Sequence, residues 1–520
     1  MKEKSSYMKN NKVFSLSLAV LLLLVFMGIF IPTSFGNVTE NLTSIITTNF
    51  GWFYLLLVTG ILFFLFYLII SPIGQIKLGN PNSTPDHSTP SWIAMMFSAG
   101  MGIGLVFYGA AEPLSHYSIN TPIHNAGSKE ALSDAFQYTF FHWGIHAWGV
   151  YAVVGLALAY FGFRKQEKYL LSATFKPLLA DKSEGFLGKA IDIITIVATV
   201  IGVATTLGFG ASQINGGLSY LFGIANNFKV QTVIIIITTM LFILSAMSGL
   251  GKGVKILSNL NLILAVVLLA LAIVIGPSVR IFDNLTDSIG NYLQNFLQMS
   301  FRSSSFDPEN RGWINMWTIF YWAWWISWSP FVGVFIARIS KGRTIREFLA
   351  VVLLVPTMLS LLWFTTFGTL STSVQASGVD LTGFATEEVL FATFSNYNLG
   401  NIMSIVALIL IISFFVTSAD SATFVLAMLS ENGELNPSNK KKLTWGILLA
   451  IIAISLLFSG GLDALQNTLI IVALPFSVVI IFMMVSLLKE LNHEKDQMGL
   501  SITPDRLPKK NQPFKSYTED

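Results

Sequence analysis

The chain has no cysteine and few charged residues. Without cysteine, disulfide bonds, cysteine-ligated metals and thiol catalysis are excluded. Charged residues make up 11% of the 520 residues, against roughly 25% in an average soluble domain. That is too little polar surface to cover a soluble globule of this size. The sequence also lacks HExxH and G-x-S-x-G motifs, a channel-type filter loop and a ring of pore charges. We therefore expect neither an enzyme nor a channel.

Apolar residues are abundant instead, at 53% of the chain with a mean hydropathy of +0.65. A helix needs about 20 apolar residues to cross a hydrocarbon core roughly 30 Å thick. The sequence predicts an all-α membrane protein with twelve such spans, at approximately 13–31, 51–71, 92–112, 138–161, 190–222, 231–250, 256–279, 312–337, 346–370, 402–430, 443–458 and 467–488. The first span follows four lysines and could imitate a signal peptide, but it is too long and lacks a cleavage site.

The distribution of basic residues predicts the orientation of these spans. With a cytoplasmic N-terminus, 26 of the 31 Lys and Arg fall in cytoplasmic segments. The five on the other side are Lys129, Lys229, Arg280, Arg302 and Arg311. This asymmetry satisfies the positive-inside rule and predicts that both termini lie in the cytoplasm. The expected location is a bacterial-type cell membrane. The basic runs could be read as nucleic-acid patches, but here they indicate topology and contact with anionic lipid, so no nucleic-acid partner is expected.

The predicted organisation is one integrated membrane body, residues 13–488, between a cytoplasmic N-terminal tail, 1–12, and a cytoplasmic C-terminal tail, 489–520. The longest outer connection has amphipathic spacing over about 281–303, which indicates a helix lying along the outer surface; an ordinary capping loop is the alternative. The third span carries glycines and the eighth carries Ser329-Pro330, so we expect both to be interrupted. A pair of interrupted spans five apart is typical of transporters built from inverted repeats, although it can arise by chance.

The most informative segment is Trp322–Phe331, which reads WAWWISWSPF. Stacked or clustered indole faces attract a cation that cannot donate hydrogen bonds, such as a quaternary ammonium. Trp324, Trp325 and Trp328 share a broad helical face with Tyr321, and the fourth span adds Trp143, Trp148 and Tyr151. Structural packing is the alternative for these rings. Trp313 and Trp317 are expected to belong to an interfacial aromatic belt.

The absence of basic residues inside the spans and the glycines of the third span fit a zwitterionic ligand. No Lys or Arg lies inside a span, so a carboxylate would rest on the backbone of Gly100–Gly104, where a half-helix N-terminus favours an anion. Close helix packing is the alternative reading of these glycines. In the tenth span, FFVTSADSA supplies Thr417 and Ser418, whose hydroxyls suit Na⁺ together with carbonyls near Ser98 and Met101; hydroxyls bonded back to their own helix are the alternative.

Three acids lie near span interiors, where a carboxylate is by default a functional hypothesis. Glu112 at a span end could only cap a helix, and Asp192 is expected to be solvated near a cytoplasmic end. Asp420 is the acid we expect to organise the ion site. His142 and His146 have metal-ligand spacing, but with no carboxylate or third histidine beside them no transition-metal site is expected.

These segments resemble the betaine/carnitine/choline transporter family over roughly 90–430. The resemblance rests on GMGIGLVFYGAAEPL, the span with Trp143, Trp148 and Tyr151, WAWWISWSPFVG followed by ARISKGRTIREF, and FFVTSADSA. It implies twelve helices, with spans 3–7 and 8–12 forming two inverted five-helix repeats (about 90–280 and 312–488), in a homotrimer.

The resemblance also implies site residues. The cage would be Trp143, Trp148, Tyr151 and Trp325, with Trp324, Trp328 and Phe335 along the route and Gly100, Met101, Gly102 and Gly104 beneath the carboxylate. One sodium site would comprise Ser98, Met101, Phe414, Thr417 and Ser418, and a second Thr199 and Phe331. The hydroxyl expected one turn beyond Thr199 is replaced by Val203, which leaves the sodium stoichiometry open.

Two positions at which this chain differs from other members of the family indicate its substrate. Proton-coupled choline members of the family tend to carry Asp where this chain has Gly104, and sodium-independent carnitine exchangers carry a basic side chain at a sodium position. The resemblance therefore implies Na⁺-coupled import of glycine betaine, and of related betaines, for osmoprotection, with no cofactor besides the coupling ion. A proton-coupled choline transporter or a carnitine/betaine exchanger remains the alternative.

Overall fold

The computed structural model describes residues 11–100, 102–247 and 253–500. Met101 and the termini lie outside these ranges. The first half of the described chain consists mainly of helices joined by loops. Its α-helices are α1 Asn11–Phe30, α2 Pro32–Ile70, α3 Thr89–Gly100, α4 Ile103–Ser118, α5 Lys129–Trp143, α6 Ile145–Ala159, α7 Lys176–Leu179, α8 Phe186–Phe222, α9 Phe228–Met247 and α10 Gly253–Ile275.

The second half continues with eight α-helices. They are α11 Ser278–Gln294, α12 Phe296–Ser300, α13 Pro308–Ile314, α14 Phe320–Arg338, α15 Ile345–Ala376, α16 Val389–Phe394, α17 Gly400–Ser430 and α18 Asn439–Gln497. Short 3₁₀ segments occupy Pro72–Gln75, Ser172–Phe175 and Ala180–Glu184, and π-helical turns occupy Tyr160–Arg164 and Asn315–Ile319.

Ten of the described helical stretches are long and apolar enough to cross a membrane. The twelve-span prediction is reconciled with this number by two features. Span 3 is divided between α3 and α4, neither of which is long enough alone, and α18 contains both span 11 and span 12. Within α18 a kink at Gly460 and Gly461 separates the two spans, and Gly461 has φ 64° and ψ −141°, which a residue with a Cβ rarely adopts. The second predicted span is longer than expected, since α2 already begins at Pro32.

The spans differ strongly in burial. The helices of spans 4 and 8 are almost wholly buried, whereas α1, α9 and α10 are mostly exposed and therefore suit lipid contact. Because five spans is an odd number, the second set of five begins on the membrane face opposite to the first. Spans 3 and 8 consequently run in opposite directions through the centre of the bundle, which is the relation expected of inverted repeats.

Span 4 is broken at Gly144, which sequence reasoning treated as part of one continuous helix. Gly144 has φ −92° and ψ −140°, so α5 ends at Trp143 and α6 starts at Ile145. A Cβ at this position would lie 2.5 Å from the Phe140 carbonyl oxygen. The break lets Trp143 and Trp148, five residues apart, line the same cavity.

Span 8 is not interrupted at Ser329-Pro330, so that expectation is wrong. Helix α14 continues through Pro330, whose ring leaves the Ile326 carbonyl without its usual amide donor. The Ser329 hydroxyl donates to this carbonyl at 2.7 Å and satisfies it. The irregular part of span 8 is instead the π-helical turn Asn315–Ile319 before α14.

Candidate functional site

Four aromatic rings from spans 4 and 8 meet at the centre of the bundle. We call Trp143, Trp148, Tyr151 and Trp325 the aromatic cage. The Trp143 and Trp325 ring centroids are 4.9 Å apart at 69°, those of Trp325 and Tyr151 6.0 Å apart at 76°, and those of Tyr151 and Trp148 5.3 Å apart at 77°. Neighbouring rings are thus nearly perpendicular. They line a cavity of about 40 Å³, which Trp324 and Trp328 also line.

Hydrogen bonds hold the indoles of this region in place. Trp325 Nε1–H donates to the His142 carbonyl at 2.9 Å, and Trp324 Nε1–H donates to Thr206 Oγ1 at 3.2 Å. Trp324 and Trp325 stack at 5.1 Å with an interplanar angle of 11°. Because the indole N–H groups of Trp324 and Trp325 have protein partners, these two rings are oriented before any ligand arrives.

The glycines of span 3 approach this cage. Gly102, in extended conformation, is the N-cap of α4, and Gly102 and Gly104 both line the cavity. A Cβ on Gly104 would lie 2.9 Å from Cη2 of Trp143 and 2.9 Å from Cη2 of Trp324. Gly100 ends α3. The N-terminus of α4, without a side-chain cap at Gly102, therefore points at the cavity and provides a favourable dipole for an anion.

Glu112 is not the capping residue that the sequence suggested. Its side chain is wholly buried and has four hydrogen-bond partners. Trp143 Nε1–H and the Tyr321 hydroxyl donate to Oε2 at 2.7 Å and 2.5 Å. His142 Nδ1 and His116 Nε2 lie 2.8 Å and 3.3 Å from Oε1. One carboxylate thus ties together spans 3, 4 and 8 directly beside the cage.

The expectation that no carboxylate or further histidine stands beside His142 is wrong. Glu112, His116 and His142 place one ligand atom each within 4.8 Å of one another, as a metal would require. The same atoms are already hydrogen-bonded, and His142 Nε2 lies 3.1 Å from Thr318 Oγ1. His146 belongs to a separate contact, with Nε2 2.9 Å from Ser300 Oγ. The arrangement is therefore that of a hydrogen-bond network around a carboxylate.

Aromatic rings close the cage on the Glu112 side. His116 packs 4.5 Å from Trp317 and 5.0 Å from Trp313, measured between ring centroids. Trp313 is only 7% exposed, and its Nε1–H donates to the Asn120 carbonyl at 2.8 Å. The prediction that Trp313 belongs to an interfacial aromatic belt is therefore wrong, since its ring packs inside the protein.

A larger vestibule of about 580 Å³ lies on the opposite side of the cage. Trp328 lines both this vestibule and the cage cavity, so it stands at the boundary between them. Phe331 and Phe335 line the vestibule farther along α14. His87, in the loop between spans 2 and 3, also lines it. The vestibule therefore extends to the end of the bundle where this loop lies.

The residues of the predicted first sodium site border this vestibule. Phe414, Thr417 and Ser418 line it, whereas Met101 and the side chain of Ser98 lie outside the described part of the chain. Thr417 Oγ1 donates to its own helix, 3.0 Å from the Ser413 carbonyl, as the alternative reading expected. It also accepts from Asn261 Nδ2 at 2.9 Å.

Asn261 is a residue that sequence reasoning missed. Its side chain is buried in α10, and its Oδ1 has no hydrogen-bond partner among the described residues. Ser413 Oγ is also buried and has no hydrogen-bond partner among the described residues. Buried polar atoms are rarely left unsatisfied, so oxygens of this kind beside Thr417 suit a hard cation such as Na⁺. The sequence could have indicated Asn261, because it is a polar side chain inside an otherwise apolar predicted span.

The second predicted sodium site is less well supplied with oxygens. Thr199 Oγ1 donates to the Thr195 carbonyl at 2.7 Å, and Phe331 lines the vestibule. Val203 is buried one turn farther along α8, where a hydroxyl would be expected. The nearby Thr206 hydroxyl is engaged as the acceptor of Trp324.

The two other acids are also buried. Asp420 Oδ2 accepts from Ser245 Oγ at 2.8 Å, one turn beyond Thr417. Asp192 is not solvated, contrary to expectation, because it is 7% exposed and accepts from the amide and hydroxyl of Ser172 at 3.1 Å and 2.8 Å. Asp192 thus caps the 3₁₀ segment Ser172–Phe175, away from the cage.

Comparison with known proteins agrees with this geometry. The chain matches the profile of the betaine/carnitine/choline family transporters over residues 12–496. It is 55% identical over 489 residues to the glycine betaine transporter OpuD of Bacillus subtilis (strain 168), covering 94% of this chain and 96% of the relative. It is 42% identical to a probable glycine betaine transporter of Desulfitobacterium hafniense (94% and 98% coverage) and 41% identical to an ectoine/hydroxyectoine transporter of Virgibacillus pantothenticus (93% and 97%).

Proposed function

The chain belongs to the betaine/carnitine/choline family of transporters, and from this premise we propose that it imports glycine betaine together with Na⁺ by alternating access. As a member of this family it is a multi-pass membrane protein and a transporter, not an enzyme. The observation that carries the choice of substrate is the aromatic cage. Relatives named as glycine betaine transporters support it.

The cage suits a trimethylammonium group because this cation cannot donate hydrogen bonds and is instead attracted to the faces of aromatic rings. Trp143, Trp325 and Tyr151 present π-systems at different angles around one small space. Each desolvated ring contributes about 0.5–2 kcal/mol to binding a cation. A cage of four rings therefore supplies several kcal/mol without a formal negative charge in contact with the ligand.

The carboxylate of the substrate is proposed to rest at the N-terminus of α4. Gly102 lines the cage cavity and leaves the first amide groups of α4 without a side-chain cap. Helix N-termini bind anions through these amides and the helix dipole. A zwitterion thus finds complementary surroundings at both ends, which a bare cation such as choline would not.

Sodium is proposed to bind beside Thr417 and Ser418, with Asn261 as an additional oxygen ligand. Because betaine is net neutral, the membrane potential acts only on the ion. One charge crossing 100 mV supplies about 2.3 kcal/mol, and two supply about 4.6 kcal/mol. At about 1.4 kcal/mol per tenfold, two ions support roughly thousandfold accumulation. Accumulation of this size suits a compatible solute, and we propose osmoprotection as its use.

The alternative functions are proton-coupled choline transport and carnitine/betaine exchange. The position of Gly104 argues against the first, because an Asp side chain there would collide with Trp143 and Trp324 in this arrangement. Among the relatives, one is named for ectoine and hydroxyectoine, so other zwitterionic solutes are competitors to be tested.

Uptake into proteoliposomes tests the proposal. We expect radiolabelled betaine to accumulate with an inward Na⁺ gradient, faster with a negative interior, and choline not to accumulate. Replacing Na⁺ by K⁺ should abolish uptake. Choline uptake driven by a pH gradient, or carnitine/betaine exchange without Na⁺, would establish one of the alternatives. The ratio of charge to betaine, from the reversal potential, decides between one and two sodium ions.

Assembly and orientation complete the proposal. We propose a homotrimer in which both termini are cytoplasmic and the basic loops contact anionic lipid. The excess of Lys and Arg on one face supports the orientation, and the exposed Val279, Phe282 and Leu293 of α11 offer apolar surface for a neighbouring subunit. Mass measurement in native detergent micelles checks the trimer, and labelling of single cysteines in intact cells checks the orientation.

A further inference from the structure

The carboxylate of Glu112 lies behind the cage and does not line its cavity. Its Oε2 accepts hydrogen bonds from the indole N–H of Trp143 and the hydroxyl of Tyr321, and His142 Nδ1 and His116 Nε2 lie within hydrogen-bond distance of Oε1. Trp143 Nε1–H can only donate, so Oε2 must be an acceptor. Hydrogen bonds that a carboxylate accepts stabilise its negatively charged form.

One of these donors, Trp143, is a ring of the cage, and another, Tyr321, stacks on the cage ring of Trp325. Trp143 packs against Trp325 at 4.9 Å, and Tyr321 stacks on Trp325 at 5.6 Å with an interplanar angle of 22°. Donation of an N–H or O–H to an anion shifts electron density into the ring that carries it. A cation is attracted to the negative face of an aromatic ring, so this shift strengthens the attraction.

Building on the proposed function, we infer that Glu112 is a positioning residue that sets the preference of the cage for a cation. Its charge acts through Trp143 and Tyr321 and makes the cage select a trimethylammonium group over a neutral group of the same shape. A purely structural network would hold the rings in place but would not distinguish two ligands that differ only in charge.

The experiment compares glycine betaine with 3,3-dimethylbutanoate, in which a carbon atom replaces the quaternary nitrogen. Affinities of both ligands are measured by titration of purified wild-type protein and of Glu112→Gln. We expect Glu112→Gln to weaken betaine binding by about tenfold or more and dimethylbutanoate binding far less, so that the preference for betaine collapses. Equal weakening of both ligands, or an unchanged preference, would overturn the inference.

Asp192→Asn is the matched control, because it also removes a buried carboxylate, one whose partner is Ser172 and which is not in the cage. Its preference should equal that of the wild type. If Glu112→Gln does not fold, Tyr321→Phe is measured instead: it removes one of the two donors through which the charge acts, so the preference for betaine should fall part of the way, and an unchanged preference contradicts the inference. A wild-type protein that does not bind betaine would overturn the proposed function itself, whereas an unchanged preference in Glu112→Gln overturns only the role of Glu112.

Discussion

Gly104 and Trp143 approach each other so closely that a methyl group would not fit between them. A Cβ on residue 104 would lie 2.9 Å from Cη2 of Trp143, and equally close to Trp324. This contact couples the broken third span to the cage. A movement of α4 would therefore displace the rings of Trp143 and Trp324. The proposed alternating access requires a coupling of this kind between helix movement and the binding site.

Gly104→Ala is expected to impair transport by displacing these rings. Overpacking a tight site costs about 1–3 kcal/mol, which would correspond to a loss of about fivefold to a hundredfold in betaine affinity if the whole cost fell on the binding-competent state. Half-saturation concentrations for uptake check this expectation. Gly60→Ala is the control, because a Cβ at Gly60 meets no atom within 4 Å. Wild-type affinity in Gly104→Ala would show that the cage is looser than the contact indicates.

Trp325→Leu and Trp148→Leu should each raise the half-saturation concentration for betaine by roughly twofold to thirtyfold, since a desolvated cation–π contact contributes about 0.5–2 kcal/mol. Uptake assays at matched surface expression provide the measurement. Trp52→Leu is a suitable control, because Trp52 is 52% exposed in α2. Should both cage variants transport with unchanged affinity, the proposed substrate class would be wrong.

Asn261→Ala is expected to raise the Na⁺ concentration needed for half-maximal uptake several-fold, because it removes an oxygen beside Thr417. Betaine affinity at saturating Na⁺ should change little. Sodium titration of uptake measures both quantities. Asn49→Ala, at an exposed position of α2, is the control. A betaine defect at saturating Na⁺ would instead indicate that Asn261 acts in packing.

Glu494→Ala is expected to destabilise the protein. Glu494 pairs with Arg164 and accepts from the Tyr160 hydroxyl at 2.5 Å, which fastens the end of α18 to the segment after span 4. Removing one partner of a buried ion pair costs about 3–5 kcal/mol. Thermal unfolding in detergent measures the loss.

Glu490→Ala provides the comparison for that prediction. Glu490 lies one turn earlier on α18 and contacts only the partly exposed Lys165 among the described ion pairs. Such a pair is worth at most about 1 kcal/mol. Equal destabilisation by the two variants would contradict the assignment of Glu494 as the anchor.

The membrane architecture could be predicted from local properties of the chain. Hydropathy over about 20 residues identifies a span wherever it occurs, because the bilayer imposes the same length on every helix. The cluster around Trp325 and the glycines around Gly102 were visible for the same reason, since each lies within one span. Helix breaks were harder to locate: Gly144 interrupts its span, whereas Pro330 does not, because the Ser329 hydroxyl satisfies the freed carbonyl.

Contacts between distant parts of the chain were decided by the tertiary structure. The partners of Glu112 include His142 and Tyr321, separated from it by 30 and 209 residues, and Asn261 is 156 residues from Thr417. Composition and spacing therefore determined that this chain crosses a membrane and carries aromatic rings suited to a methylated ammonium. Packing determined which buried polar groups meet, because a polar atom removed from water takes whichever partner the fold brings within reach.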